Sequence, residues 1–496
     1  MERLSYASLK KSGYEGYLLE NAPERVLQFG EGNFLRAFVD YFFDVANEKG
    51  DFNGKVVLVQ PIAQGLAQLI NEQQGLYTLY LRGAERGKEV CRKRVVSAVS
   101  RCIDPYADFA ALLACAKNPE LRYIVSNTTE AGITYDPACR FDDAPASSFP
   151  GKLTRFLYER YKAFGGDAAK GVVILSCELI DDNGRVLKSC VDSYCRQWGL
   201  EDGFVDWLSQ SCVFCSTLVD RIVTGYPRAE ADKLNEENGY EDKLLDTGEV
   251  FGFWVIEGPQ TLESELPFKK AGLPVIVVPD SSPYKKRKVR ILNGAHTSMV
   301  LAAYLCGKNI VRECMHDPDI RAYLDRAMQR EIIPTLTLPK PELEEFADAV
   351  IDRFNNPFID HALLSISLNS TSKWRARVLP SLKEYVEKFG SVPPCLAFSF
   401  AAYIAFYRCA EYKNGEMTGR RGDEPYAIKD DAWVLDFYAA HSADDAGALV
   451  REVMKNEKMW GEDLTRIPGF EAAAAGYLRE IRAKGMSAAM KAAASC

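Results

Sequence analysis

The residues best placed for chemistry lie in one segment, SSPYKKRKVRILNGAHTSM, at positions 281–299. It contains Lys288, Asn293 and His296. Ser282 followed by Pro283 predicts the N-cap and first position of a helix. At ~100° per residue the three side chains fall within an arc of about 140°, so we expect them to point into one cleft.

Such a cluster suits the reduction of a ketone. The reaction needs a proton donor for the oxygen while hydride arrives at carbon, and neutral donors that polarise the carbonyl. Lys288 could give the proton and take it back in the reverse direction. The alternative is a basic surface run, KKRK, followed by a helix with one buried structural histidine.

A second positive cluster occurs in NSTSKWRARVLPSL, which holds Lys373, Arg375 and Arg377. Arginine binds a carboxylate through two parallel N–H donors. The cluster therefore predicts a clamp for an acidic substrate, although a solvated loop before a helix would have the same composition.

Glu178 lies in LSCELIDDNG, at the predicted carboxyl end of a buried strand. Ligand clefts of α/β proteins form at that end. We expect Glu178 to contact substrate; the alternative is a helix-capping or surface acid.

A glycine turn follows the first predicted strand, where RVLQFG leads into GEGNFLRAF. Gly30 and Gly32 would let the backbone approach a pyrophosphate at the start of a helix. Leu35 stands where a third glycine is common, so the pattern alone fits a simple tight turn as well. The second strand ends in Gln60 and Pro61, which do not indicate whether the cofactor carries the extra phosphate.

The hydrophobic pattern predicts that two domains position these residues. From Glu24 to Asp280, short β-branched runs alternate with amphipathic helices; the runs are RVLQFG, KVVLVQP, RYIVSNT, GVVILSCELI and LPVIVVPD. We predict an α/β, Rossmann-like doubly wound parallel sheet over residues 1–280. Strand signals nearly vanish afterwards, so residues 281–496 are expected to form a mostly α-helical substrate and catalytic domain.

Composition excludes several classes of protein. The 496 residues carry a formal charge of −8, which provides no broad positive field for nucleic acid. We see neither a signal peptide nor a membrane-spanning run and expect a cytoplasmic protein. Cys212 and Cys215 lack a second pair and a nearby histidine, so no metal is expected.

Five motifs in order resemble the long-chain mannitol dehydrogenase family over nearly the whole chain. They are GEGNFLRAF (30–38), QGLYTLYLRG (74–83), IVSNTTEAGI (124–133), STLVDRIV (216–223) and KVRILNGAH (288–296). The resemblance implies a metal-independent, NAD-dependent dehydrogenase of polyols or sugar acids. It also implies that Lys288 is the catalytic acid/base and that Asn293 and His296 bind the reacting oxygen.

The resemblance further implies two sets of binding residues. Members of the family also lack the third glycine of the turn, so Leu35 agrees with the family pattern. The expected cofactor-binding residues are Phe29, Gly30, Gly32, Asn33, Phe34, Asn127 and Thr128. The expected substrate-binding residues are Glu178, Asp220, Arg221, Lys373 and Arg375. Leu179 replaces an asparagine that polarises the substrate carbonyl in polyol-specific members. We therefore expect Glu178 or a water to take over part of this polarisation.

Within the family, CELIDDNG, FCSTLVDRIVTGYPR, PYKKRKVRILNGAHT and NPFIDHALLSISLNSTSKWRARVLP resemble the branch that reduces D-tagaturonate to D-altronate with NADH. Reduction of D-fructuronate to D-mannonate is the nearest alternative. Activity as a polyol dehydrogenase is the second alternative. An epimerase that retains NAD and a non-catalytic nucleotide-binding protein are the alternatives from other classes. The expected partner is a small sugar acid, with no nucleic acid or membrane, and the expected state is a monomer or small homo-oligomer.

Overall fold

The structure, a computed structural model, describes residues 1–129 and 131–496. Glu130, within the IVSNTTEAGI motif, lies outside the described residues. The chain divides into two compact units: unit 1 is Met1–Arg82 with Val90–Ser281, and unit 2 is Gly83–Glu89 with Ser282–Cys496. No helix in the described ranges is both long and apolar enough to cross a membrane.

Unit 1 is built on an eight-stranded sheet with a smaller sheet beside it. The strands are β1 (Glu24–Phe29), β2 (Lys55–Val59), β3 (Tyr77–Glu85), β4 (Lys88–Val96), β5 (Val99–Ile103), β6 (Tyr123–Ser126), β7 (Val173–Ser176), β8 (Val213–Asp220), β9 (Asp246–Glu249), β10 (Phe253–Glu257) and β11 (Val275–Val278). The large sheet has the order β11-β10-β8-β7-β6-β1-β2-β5, and the small one β4-β3-β9.

The six strands from β5 to β8 are parallel, and their order is that of a Rossmann sheet. This confirms the predicted fold of unit 1. One detail of that prediction is wrong: β10 pairs with β8 in the antiparallel sense, and β11 follows β10. The run LPVIVVPD, predicted as part of the parallel set, is therefore an edge strand of opposite direction.

The central strands form because their residues are apolar, β-branched and buried on both faces. Along β1, Val26 packs into one core and Leu27 into the other. The first core also holds Phe38 and Phe42, and the second holds Phe156. Side chains that alternate between two cores require cover on both faces of the sheet.

The helices of unit 1 are mostly amphipathic, as the alternating pattern predicts. They are α1 (Tyr6–Ser12), α2 (Asn33–Leu35), α3 (Tyr41–Gly50), α4 (Ala67–Glu72), α5 (Phe109–Cys115), α6 (Phe149–Phe164), α7 (Asn183–Gln197), α8 (Asp202–Ser211), α9 (Ala231–Asn238) and α10 (Leu262–Glu265), with a π-helical segment at Arg36–Asp40 and a 3₁₀ turn at Ala168–Lys170.

Unit 2 is mostly helical, as predicted. Its helices are α11 (Ser282–Arg287), α12 (Gly294–Leu305), α13 (Val311–His316), α14 (Pro318–Arg326), α15 (Lys340–Phe354), α16 (Leu363–Ile366), α17 (Ser370–Arg377), α18 (Leu379–Phe389), α19 (Pro394–Phe406), α20 (Ala432–Ala440), α21 (Ala446–Lys455), α22 (Glu457–Trp460), α23 (Phe470–Lys484) and α24 (Met486–Ser495). Two 3₁₀ turns, Ile333–Thr335 and Leu464–Arg466, and π-helical segments at Lys288–Asn293 and Ala327–Ile332 complete it.

A three-stranded antiparallel sheet interrupts the helices of unit 2. It consists of β12 (Glu411–Lys413), β13 (Glu416–Arg421) and β14 (Glu424–Ile428). The first turn is Asn414-Gly415, and both residues have positive φ, as a tight hairpin turn requires. The expectation of an almost strand-free second domain missed this sheet.

Candidate active site

The glycine turn after β1 is sterically fixed in unit 1. Gly30 has a φ of 126°, and a Cβ there would lie 2.9 Å from Cδ1 of Leu35 and 3.2 Å from the carbonyl oxygen of Asn127. Its amide donates to the carbonyl of Val59. A Cβ at Gly32 would meet no protein atom within 4 Å. Gly30 is thus required by the fold, whereas Gly32 borders open space.

Arg36 anchors the helical segment that follows the turn. Its side chain is 2% exposed and donates to the carbonyls of Glu31 and Leu244 and to Oδ1 of Asn33. The amide of Asn33 packs against Gly225. The predicted cofactor residue Asn33 is therefore held in place from two sides.

Glu178 organises the loop after β6. Its carboxylate is buried and accepts from the Ser126 hydroxyl, the Thr128 amide and the Thr128 hydroxyl, each at 3.1 Å. Burial raises the pKa of Glu178, partly offset by these hydrogen bonds. Asn127, between the two donors, gives its side-chain N–H to the Cys177 carbonyl. The structure thus brings Glu178 together with predicted cofactor residues and presents it as a loop anchor.

A cleft of about 520 Å³ opens beside this loop. It is lined by Phe34, Asn127, Thr129, Ala131 and Leu179, at the carboxyl edge of the parallel strands where Rossmann proteins bind dinucleotides. Leu179 is 67% exposed, which leaves an apolar side chain available to a flat ring. The glycine turn, the open space at Gly32 and this cleft fit a nicotinamide dinucleotide.

Asp220 is the last residue of β8 and Arg221 follows it, and both are buried. The guanidinium of Arg221 donates to the carbonyls of Ala37, Val250 and Phe251, and burial lowers its pKa to about 10. Arg221 therefore ties the segment after the glycine turn to the loop before β10. Its donors serve the fold of unit 1.

The Lys288 segment of unit 2 departs from regular α-helix. The helix begins at Ser282, one residue earlier than predicted, and Lys288–Asn293 is π-helical before α12 starts at Gly294. Such segments often occur at functional sites. The 140° arc assumed an unbroken α-helix and does not describe this geometry.

His296 lies in the first turn of α12 and stacks on Phe354, with ring centroids 4.3 Å apart. His361 meets the same imidazole edge-on at 5.5 Å. Nε2 of His296 is buried and has no hydrogen-bond partner among the described residues. An unsatisfied buried ring nitrogen is costly, so this atom is suited to bind a ligand.

Burial and the positive charges around His296 keep it neutral. Burial, followed by the charges of His361, Arg377, Arg353 and Lys373, lowers the pKa of His296 to about 3. Burial and then Arg377 lower the pKa of Lys373, and burial lowers that of Arg377. Neither Lys373 nor Arg377 has a carboxylate within 4 Å in the described part of the chain. Lys373 and Arg377 thus have no ion-pair partner in that part of the chain, although the charge of Asp430 partly offsets the lowering of the pKa of Lys373.

The geometry of helix α17 determines which of its basic residues lie near His296. Lys373 and Arg377 are four residues apart and fall on one helix face, and Nζ of Lys373 donates to the Ile366 carbonyl at 2.8 Å. Arg375 is exposed and packs against Gly461. The structure thus brings Lys373 and Arg377 together and places Arg375 on another face.

The start of α17 is fixed by Asp430, which accepts from the amide and hydroxyl of Thr371 and from Tyr407. Sequence reasoning missed Asp430, Arg353, Phe354 and His361, because each is remote in sequence from the motif it supports. His361 and Phe354 lie in or beside the segment NPFIDHALL, whose place between two predicted site motifs was the available signal. Among the described residues, no group of three His, Cys, Asp or Glu side chains is placed to hold a metal ion.

The parallel sheet and the glycine turn define a Rossmann-type nucleotide-binding protein. Residues 24–270 match the model of the mannitol dehydrogenase Rossmann domain, and residues 280–482 match the mannitol dehydrogenase C-terminal domain. The chain belongs to the mannitol dehydrogenase family, which confirms the resemblance drawn from the five motifs. It is an oxidoreductase that acts on a CH–OH group.

Curated relatives are similar over almost the full length. The altronate oxidoreductase of Klebsiella pneumoniae is 48% identical over 476 residues, which cover 95% of this chain and 96% of that protein. An Escherichia coli altronate oxidoreductase is 47% identical with the same coverage.

Two solved structures share the fold. The substrate-free D-sorbitol dehydrogenase has a TM-score of 0.78 and 23% identity, covering 95% of this chain and 96% of that one. The Pseudomonas fluorescens mannitol 2-dehydrogenase complex with NAD and D-mannitol has a TM-score of 0.65 and 22% identity, covering 99% of each.

Proposed function

We propose that this protein interconverts D-tagaturonate and D-altronate with NAD(H), without a metal ion. The observation that carries the proposal is the pair of cations Lys373 and Arg377 beside His296, neither of which forms an ion pair within the described residues. A sugar acid brings a carboxylate, whereas a neutral polyol has no use for two half-buried cations. The altronate oxidoreductase relatives support the same substrate class.

In this proposal each residue of unit 2 has a separate task. Lys373 and Arg377 bind the carboxylate, and the neutral His296 donates a hydrogen bond to the ketone oxygen. Asn293 assists at the same oxygen. Lys288 delivers the proton that turns this oxygen into a hydroxyl, and takes it back in the oxidative direction.

The residues of unit 1 hold the cofactor. When bound, reduced nicotinamide supplies hydride to the ketone carbon, so one hydride and one proton together give the secondary alcohol. Gly30 permits the tight turn and Gly32 leaves room for the pyrophosphate, while Phe34 and Leu179 offer apolar contact to a ring. Glu178 positions Asn127 and Thr128, and Arg221 positions the helical segment after the turn.

The test follows NADH absorbance with purified protein and D-tagaturonate, D-fructuronate or D-fructose in separate reactions, with NADPH as a parallel control. Rapid oxidation of NADH confined to D-tagaturonate is the expected result. A preference for D-fructuronate would keep the roles of the residues but change the substrate. Failure to reduce any ketone with either cofactor would reject the proposed reaction in favour of an NAD-retaining epimerase or a binding protein.

A further inference from the structure

A cavity in unit 2 lies at the carboxyl ends of α12 and α19, and the proposed reaction uses none of its lining residues. Its volume is about 570 Å³, within the range of small-molecule sites. Leu305, the last residue of α12, and Ile404, near the end of α19, both line it. The residues assigned to catalysis and to cofactor or substrate binding are not part of this lining.

The floor of the cavity is apolar. Ile404, Leu449, Leu478 and Met486 line it, and each is less than a tenth exposed. They come from four helices, α19, α21, α23 and α24. The floor is therefore a fixed part of the helical core and offers a dry surface to a hydrophobic group.

The rim carries three arginines, Arg408, Arg420 and Arg482. None has a carboxylate within 4 Å in the described ranges. Arg482 donates to the main-chain carbonyl of Asp444 at 3.2 Å. Burial and then the charge of Arg408 lower the pKa of Arg482. The charge of Asp445 partly offsets the lowering of the pKa of Arg482. Three arginines that line one cavity, none with an ion-pair partner in the described ranges, stand out in a chain whose net charge is −8.

We propose that this cavity binds a small amphiphilic anion, with an apolar or ring-shaped body on the floor and a phosphate, carboxylate or sulfonate at the rim. Guanidinium groups match such oxyanions through paired N–H donors. The proposal is independent of the reaction proposed above, because it rests on other residues of unit 2.

The test measures the fluorescence of anilinonaphthalene sulfonate, an apolar ring system with one sulfonate, titrated into the full chain with saturating NAD⁺ present. Phenylnaphthylamine, which lacks the sulfonate, is the neutral probe. The variant Arg408→Gln/Arg420→Gln removes two rim charges. Arg466→Gln is the matched control, because its side chain is 81% exposed and it does not line the cavity.

We expect one anionic probe to bind per chain, and the double variant to bind it at least about tenfold more weakly, since each charge-assisted hydrogen bond is lost with its arginine. Arg466→Gln should bind it as the wild type does, and the neutral probe should bind poorly. Ala410→Trp, at the cavity lining, should block binding while the thermal midpoint stays unchanged. Equal affinity of the wild type and the double variant, or of the two probes, would overturn the proposal.

Discussion

The imidazole of His296 lies parallel to the ring of Phe354, with an angle of 9° between their planes. Stacking fixes the ring plane and directs Nε2 into a buried space where no described residue bonds it. With a pKa of about 3, His296 is neutral at pH 7, and a neutral imidazole can donate one hydrogen bond to a ketone oxygen. The position of Phe354 at the end of α15 therefore determines the orientation of the His296 ring on α12.

Protonation of His296 should be measurable as a pH-dependent loss of stability. Its folded-state pKa of about 3 lies below the unfolded value of 6.5, so the unfolded chain takes up the proton first as pH falls. Stability from this residue is complete above pH 6.5 and declines towards pH 3. We expect His296→Gln to reduce the loss of unfolding free energy between pH 7 and pH 5 by about 1–2 kcal/mol, measured in urea titrations.

The matching spectroscopic measurement uses the four histidines of the chain. In a sample with labelled histidine rings, the signal that is lost in His296→Gln should not titrate between pH 5 and pH 8 in the wild type. A titration midpoint near 6.5 would contradict the neutral histidine.

Lys288→Ala is expected to reduce turnover by about 10²- to 10⁴-fold, the usual contribution of a positioned acid or base. The dissociation constant for NADH should stay near the wild-type value, because the cofactor residues belong to unit 1. Lys286→Ala, which removes a neighbouring lysine paired with Glu384, is the control. Near-normal turnover of Lys288→Ala would remove its proposed role.

Substitution of the basic residues on α17 should separate the two faces of this helix. Lys373→Met and Arg377→Met each lose a charge-assisted contact to the carboxylate, so KM for the sugar acid should rise about 10- to 100-fold. Arg375→Met should leave KM unchanged, because Arg375 packs against Gly461. Steady-state kinetics on the three variants measure these KM values. A similar rise of KM in all three variants would refute carboxylate binding by Lys373 and Arg377.

The two turn glycines should respond differently to alanine. Gly30→Ala places a Cβ at a φ of 126° against Leu35 and Asn127, and should lower the unfolding free energy by about 1–3 kcal/mol. Gly32→Ala meets no protein atom, so stability should be retained while NADH binds more weakly. NADH fluorescence titrations and thermal melts on both variants test this. Unchanged NADH affinity in Gly32→Ala would place the pyrophosphate elsewhere.

Glu178→Gln tests whether this carboxylate acts as a loop anchor. The amide cannot accept three hydrogen bonds in the same way, so the loop at Thr128 should loosen, and the unfolding free energy should fall by about 1–3 kcal/mol. NADH should also bind more weakly, because Asn127 and Thr128 belong to this loop. Ser126→Ala and Thr128→Val, which remove the partner hydroxyls, should produce part of the same loss of NADH affinity. If Glu178→Gln instead left NADH affinity intact and abolished turnover, Glu178 would belong to the substrate site.

The sequence predicted the buried strands β1, β2, β6 and β7, because their continuous β-branched runs have few other interpretations. Strand β4 was missed because its sequence, KEVCRKRVV, is charged and mostly exposed. For the sheet from β12 to β14, the local signal is the dipeptide Asn414-Gly415, which is typical of a hairpin turn. The direction of β11 depends on pairing with β10, and a local pattern does not contain that information.

The site was predictable at the level of motifs and less so at the level of geometry. Spacing identified Lys288, Asn293 and His296, yet it did not indicate the π-helical segment that positions two of them. Lys373, Arg375 and Arg377 alternate in sequence, which would place them on one face of a strand. Because residues 370–377 form a helix, positions four apart share a face and the middle arginine turns away.

The turn between β3 and β4 makes unit 2 discontinuous along the chain. The amides of Arg86 and Gly87 donate to the carboxylate of Asp352, and residues 83–89 belong to unit 2. A fragment that starts at Ser282 would leave Asp352 without both of these donors. A fragment that stops at Ser281 would contain the 83–89 loop without the carboxylate that binds its amides. We therefore expect a chimaera joined only between Ser281 and Ser282 to lose stability unless residues 83–89 come from the same parent protein as residues 282–496.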